Sequence, residues 1–167
     1  DCSRYRVGRQ EALSIRSSRP APVKPALNRR RAVKTLVIIP TYNEIDSLPR
    51  ALDRVRNAAP EAHILVVDDG SPDGTAGIVK RLQTEFPERL HLVERSGKLG
   101  LGTAYIAGFR WALERSYEYI FEMDADFSHP PKDLLNLYAA CHTGGADVSV
   151  GSRYVNNLVS VVNWPIG

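Results

Sequence analysis

One rhythm constrains the fold of this chain more than anything else in its sequence. Short apolar runs recur, TLVII (35–39), AHILVV (62–67), LHLVE (90–94), YIFEM (119–123) and DVSVGSR (147–153), with a helix-patterned stretch between each pair. Apolar runs without regular polar alternation are what strands need when both faces of a sheet are covered. The stretch 45–59 places Leu48, Ala51, Leu52, Val55 and Ala59 on one helical face, with Asp46 as the expected N-cap and Pro49 in the first turn. TAGIVKRLQTEF (75–86) reads as a second helix, and TAYIAGFRWALERS (103–116) as a third with Ile106, Phe109 and Leu113 toward the core. Pro130-Pro131 opens a fourth, expected to run to about His142. Pro40 is expected to end the first strand. The resulting order, βαβαβαβαβ, predicts an α/β domain: a mostly parallel sheet with helices on both faces. No helix follows the last run, so the domain is expected to be truncated at its C terminus.

Residues 1–34 have a different texture. They hold ten of the 22 Lys and Arg residues against two acids, and RPAPVKPALNRRR (19–31) has no apolar period. A disordered basic extension is the expectation, with residues 35–167 forming the domain. Such an arm suits contact with anionic lipid headgroups, although the plainer reading, an extension without a role, is the stronger. The remainder is mildly acidic, which argues against a nucleic-acid binder. Cys2 and Cys141 give neither a disulfide framework nor a zinc spacing, which fits a reducing compartment. No apolar run reaches the roughly 18 residues of a membrane span, and no apolar segment typical of a secretory signal follows the basic start.

Chemistry in such a sheet gathers beyond the carboxyl ends of the strands. Three polar stretches fall there: PTYNE (40–44), DDGSPDGT (68–75) and DADFSHPP (124–131). One Asp-rich turn is ordinary turn chemistry, but three at neighbouring strand ends are not. Asp124 and Asp126 are the sharpest signal. In an extended chain residues i and i+2 point the same way, so two carboxylates face one side and each resists the other's charge. Mg²⁺ or Mn²⁺, which takes hard oxygens from one or two carboxylates plus phosphate, resolves the conflict. An acid–base pair acting on a glycosidic bond needs carboxyls about 5–10 Å apart across a substrate, which suits an i, i+2 pair less well. SGKLGLG (96–102) is neither a phosphate-binding Walker loop nor a clean dinucleotide fingerprint, because Tyr105 stands where the third glycine would be. It reads as a flexible loop beside the ligand, with Lys98 solvated rather than on a phosphate.

Taken together, VIIPTYNE, VVDDGSPDGT, GLGTAYIAGF, MDADFSHPP, GSRY and VNWP resemble the polyprenol-phosphate mannosyltransferases, also called dolichol-phosphate mannose synthases. These are inverting GT-A-type glycosyltransferases of family 2. The likeness spans residues 36 to 165. It implies a GT-A-like fold, a GDP-mannose donor, a polyprenyl phosphate acceptor, and Mg²⁺ or Mn²⁺. By position it implies that Pro40, Tyr42 and Glu44 line the nucleoside pocket and that Val67 and Asp69 meet the base and ribose. It gives Asp124 and Asp126 the metal on the diphosphate, and Arg153 the acceptor phosphate. Ser128 stands where relatives often carry Gln as a further metal ligand, so its shorter hydroxyl would need an intervening water. His129 is expected to cap or pack the helix begun by Pro130. The implied setting is peripheral, at the cytoplasmic face of a membrane, reached through the basic arm, a missing C-terminal segment or an anchoring partner.

Two alternatives stand beside this expectation. One is a sister enzyme moving glucose or another sugar from UDP onto the same kind of lipid. The other is a truncated donor-binding module without turnover. In each transfer reaction the nucleophile is a phosphate oxygen whose monoester has a second pKa near ~6, so no strong general base is required. What remains is in-line positioning and relief of charge on the leaving diphosphate.

Overall fold

A computed structural model of the chain describes residues 12–15, 33–126, 128–152, 154–155 and 158–159. Their elements run in the order β1 (Ala12–Ile15), β2 (Thr35–Thr41), α1 (Leu48–Ala58), β3 (His63–Asp68), α2 (Thr75–Glu85), β4 (Leu90–Glu94), α3 (Leu101–Glu114) and β5 (Tyr119–Glu122). A 3₁₀ turn at Pro131–Asp133, α4 (Leu134–His142), β6 (Val148–Gly151), β7 (Tyr154–Val155) and β8 (Leu158–Val159) follow.

Four strands form a parallel sheet in the order β4-β3-β2-β5. Successive side chains of a strand alternate between faces. In β2, Val37 and Ile39 therefore join Leu48, Leu52, Val55 and Val79 of α1 and α2 in one core. Leu36 and Ile38 join Ala104 and Ala112 of α3 in the other. The chain moves outward from β2 through β3 to β4, then crosses back to place β5 on the far side of β2. Right-handed crossovers put α3 on the opposite face once the direction reverses. That reversal leaves a crevice beyond the carboxyl ends of β2 and β5, where ligands of such sheets bind.

The fifth apolar run does not extend this sheet. β6 pairs antiparallel with β1, so residues 12–15 of the basic extension form a strand. VSVG alternates instead of running continuously apolar, and Val148 and Val150 stay exposed, so the segment lacks the pattern of a strand buried on both faces. β7 and β8 form a separate antiparallel pair.

Three local expectations also change. Ser47, not Asp46, precedes α1, and it makes no capping side-chain hydrogen bond. Strand β2 runs on through Pro40 to Thr41. Most tellingly, α3 turns Ala104, Gly108 and Ala112 to the sheet, while Ile106 and Leu113 are 52% and 68% exposed. Of the expected apolar stripe only Phe109 packs against that core. The small-residue stripe brings the helix close to β2: a Cβ at Gly108 would lie 2.7 Å from Ile38 Cγ2.

Candidate active site

The loops after β2 and β3 are laced together by side chains the sequence supplies at short intervals. Asn43 N–H donates to Ser71 Oγ at 3.0 Å, Glu44 N–H to Thr75 Oγ1 at 3.1 Å, and Ile45 N–H to Asp73 Oδ2 at 3.1 Å. Asp73 also accepts Thr75 N–H at 2.9 Å, next to the start of α2. Gly70, at φ 68, allows the β3 turn to approach the glycine loop closely, since a Cβ there would meet Gly97 Cα at 3.1 Å. Glu44 is held by a short hydrogen bond from the Ser47 hydroxyl.

The two aspartates after β3 divide the labour. Asp68 is 1% exposed and accepts Thr41 Oγ1 at 2.9 Å, Ser71 N–H at 2.9 Å and Ser71 Oγ at 2.6 Å. It is structural. Asp69 faces the crevice, with Oδ2 accepting Leu99 N–H at 3.1 Å and Oδ1 3.2 Å from Arg95 Nη1. That pair is nearly buried, and neither Asp69 Oδ1 nor Arg95 Nη1 has a well-aligned hydrogen bond. Arg95 also donates from Nη2 to Thr103 Oγ1 at 2.6 Å, so this ion pair ties the glycine loop to the sheet.

The acidic pair follows β5, with Asp124 past the end of the strand and Ala125 and Asp126 in a turn. Ala125 between them is buried in the core, which leaves Asp124 and Asp126 to the same cleft. Tyr105 on α3 donates its hydroxyl to Asp124 Oδ1 at 2.9 Å. His129 folds back, its Nδ1 accepting Asp124 N–H at 3.2 Å, which replaces the helix-capping role expected of it. Ser128 N–H donates to Asp126 Oδ1 at 2.9 Å. Burial opposes the charge on Asp126, yet the Ser128 hydrogen bonds and nearby His129 hold its carboxyl below the ordinary range. Burial and the Asp124 charge push Glu122 up. Burial and the same charge push the Tyr105 phenol far up, so it remains a donor.

A cleft of about 260 Å³ brings together Pro40, Tyr42, Glu44, Asp69, Asp124 and Asp126 from the three strand ends. Lys98 joins them while staying exposed to solvent, as expected, with its ammonium 4.5 Å from the centroid of the Tyr42 ring in a cation–π contact. Val67 does not join them. Its side chain is 0% exposed in the α3-side core, because strand alternation turns it inward where Asp68 turns the other way. Ser128 lines the adjoining larger groove and acts on the cleft through Asp126. Arg153 lies outside the described residues.

The donor set bears on which ion suits this cleft. Among the described residues no group of three His, Cys, Asp or Glu side chains converges as a metal cage. With Asp124 and Asp126 as its two protein carboxylates, an ion would complete its shell with water and ligand oxygens. Mg²⁺ and Mn²⁺ accept that arrangement, and Zn²⁺ sites of the structural type do not.

Comparison with known proteins places this geometry. The model of the glycosyl transferase family 2 matches residues 36–166. The chain belongs to glycosyl transferase family 2. Among family relatives, polyprenol monophosphomannose synthase of Mycolicibacterium smegmatis is 51% identical over 146 residues, 87% of this chain and 52% of that protein. Undecaprenyl-phosphate mannosyltransferase of Micrococcus luteus is 53% identical over 133 residues, 80% of this chain and 53% of that one. This family 2 chain thus spans about half the length of the curated relatives it matches. Its fold is GT-A-like, similar to the mannosyltransferase PcManGT of Pyrobaculum calidifontis, solved in complex with GDP-Man and Mn²⁺. That likeness has a TM-score of 0.52 at 31% identity and covers 62% of this chain and 30% of that one.

Sequence reasoning missed Tyr105, Arg95 and the structural role of Asp68. The one available signal for Tyr105 was its position, where a glycine motif failed. Arg95 and Asp68 gave none, because their roles depend on which loops the fold brings together.

Proposed function

We propose that this chain is the donor-binding portion of an inverting mannosyltransferase that moves mannose from GDP-mannose to a polyprenyl monophosphate. The observation that carries the reading is the cleft itself. It sits where strand order reverses and gathers the acidic pair of β5 with the polar residues that follow β2 and β3. The 51% and 53% identities to enzymes named for polyprenol and undecaprenyl phosphate support the acceptor class. PcManGT, with GDP-Man and Mn²⁺, supports the donor and the ion.

Pro40, Tyr42, Glu44 and Asp69 are then the nucleoside side of the cleft, and Asp124 and Asp126 the diphosphate side. Lys98 lies in the cleft near Tyr42 and adds positive charge to its nucleoside side. The two aspartates would hold Mg²⁺ or Mn²⁺, which when bound neutralises charge building on the leaving diphosphate. The acceptor phosphate is largely dianionic at neutral pH and serves as its own nucleophile, so the chain need not supply a base. Arg153 is assigned to that phosphate as a bidentate partner. No described helix is long and apolar enough to cross a membrane, and the acceptor would be met at a membrane surface.

Calorimetric titration of the chain with GDP-mannose, GDP-glucose and UDP-glucose, each with Mn²⁺ and with EDTA, tests the donor assignment. Metal-dependent binding of both GDP-sugars at least about tenfold tighter than UDP-glucose, a difference of 1.4 kcal/mol, is expected. Preference for UDP-glucose would reassign the donor, and equal binding with EDTA would remove the ion.

A further inference from the structure

We infer that Tyr105 is a positioning residue for the acidic pair, its hydroxyl committing one oxygen of Asp124 to the protein so that the other is presented to a ligand. The inference rests on the reading of Asp124 and Asp126 as the diphosphate side of the cleft, and it names a residue outside that pair.

The geometry is specific. Tyr105 Oη lies 2.9 Å from Asp124 Oδ1, nineteen positions along the chain and on another element. The contact depends on how α3 sits. Its flat stripe of Ala104, Gly108 and Ala112 faces the sheet, and a Cβ at Gly108 would meet Ile38 Cγ2 at 2.7 Å. A helix held that close carries the residue after Ala104 over the end of β5. The Tyr105 ring packs against the α3-side core, so its hydroxyl sits on a ring already placed by packing.

Asp124 Oδ2 is left differently. His129 Nδ1 lies 3.7 Å from it, beyond hydrogen-bond length. That nitrogen already accepts Asp124 N–H at 3.2 Å, so its lone pair faces the backbone and it has no proton for Oδ2. Among the described residues, then, the carboxylate is pinned on one oxygen and no donor hydrogen-bonds the other. A hydrogen bond to an ionised acceptor is stronger than one between neutral groups, which suits it to fixing a rotamer. Asp126 is pinned the same way, through Ser128 N–H on Oδ1.

Tyr105→Phe separates this role from packing, because it keeps the ring and removes the hydroxyl. Three readouts on wild type and variant suffice: Mn²⁺ affinity in the presence of GDP by electron paramagnetic resonance, GDP affinity in EDTA, and thermal midpoint. Mn²⁺ affinity is expected to fall about tenfold, the effect of losing one hydrogen bond to a charged group. The EDTA affinity should not change, and the midpoint should show a folded protein. A merely structural tyrosine would lower the midpoint and leave Mn²⁺ affinity of the folded protein alone. Equal or tighter Mn²⁺ binding by the variant would overturn this inference and leave the functional reading intact. Absence of Mn²⁺-dependent GDP binding in the wild type would overturn both.

Discussion

Replacing Asp126 with alanine is expected to weaken Mn²⁺-supported GDP-mannose binding by about a hundredfold or more, past the 10–100-fold typical of outer partners of a metal. Asp126 is exposed in the cleft and its packing contribution is small. Its hydrogen bonds are local, Ser128 N–H donating to Oδ1 at 2.9 Å, and losing one such bond costs about 0.5–1.5 kcal/mol of stability. A large loss of binding beside a small loss of stability is the signature of a ligand residue. Asp126→Asn sharpens the comparison. The amide oxygen can still accept from Ser128, so the loop geometry is retained, but the charge is gone. Binding should fall nearly as far as in the alanine variant. If asparagine binds donor and Mn²⁺ as well as aspartate does, the carboxylate acts by shaping the loop and not by holding an ion. Paired isothermal titrations of the three proteins with GDP-mannose and Mn²⁺ decide between these.

The second large effect is on stability and comes from the neighbouring strand. Asp68→Ala is expected to cost about 3 kcal/mol, the range in which a buried network loses its acceptor. Asp68 is 1% exposed and receives three hydrogen bonds, from Thr41 Oγ1, Ser71 N–H and Ser71 Oγ. Without it the buried Thr41 hydroxyl and the Ser71 amide lose their partner. The damage would propagate, because Ser71 Oγ also receives Asn43 N–H and so joins the two loops that border the cleft. Asp68→Asn should lose roughly half as much, since one side-chain oxygen remains. Urea denaturation followed by circular dichroism measures both. A loss under about 0.5 kcal/mol for the alanine variant would mean that the network does not support the site.

These two aspartates also show what a sequence can and cannot disclose. That Asp124 and Asp126 would share one cleft was legible because two like charges one residue apart at a strand end are unusual for an ordinary turn. The parallel sheet was legible because TLVII, HILVV and LHLVE are apolar on both faces. By contrast, Asp68 and Asp69 are chemically identical in sequence and both are buried, and only the fold decides that Asp68 joins the Thr41–Ser71 network while Asp69 borders the cleft. The strand's pleat turned Val67 into the core. Helix α3 misled for a different reason. Apolar bulk usually marks a buried face, but close approach to β2 favoured Ala104, Gly108 and Ala112 and left Ile106 and Leu113 outside. Tyr105 and Arg95 depend on crossings between distant elements, which spacing along the chain does not encode. The strand at Ala12–Ile15 was hidden by its basic, proline-rich surroundings, and its partner β6 is too alternating to have joined the parallel sheet.

We propose that Asp124 and Asp126 tolerate each other because both face a divalent cation shared with a nucleoside diphosphate. A crystal of the chain grown with GDP-mannose and Mn²⁺, with data collected above the manganese absorption edge, tests it most directly. The expected result is one anomalous peak within about 2.0–2.4 Å of an oxygen from each aspartate and of the diphosphate, the range of hard divalent ions on oxygen. A diphosphate bound in the cleft with no manganese peak between the two carboxylates would contradict it.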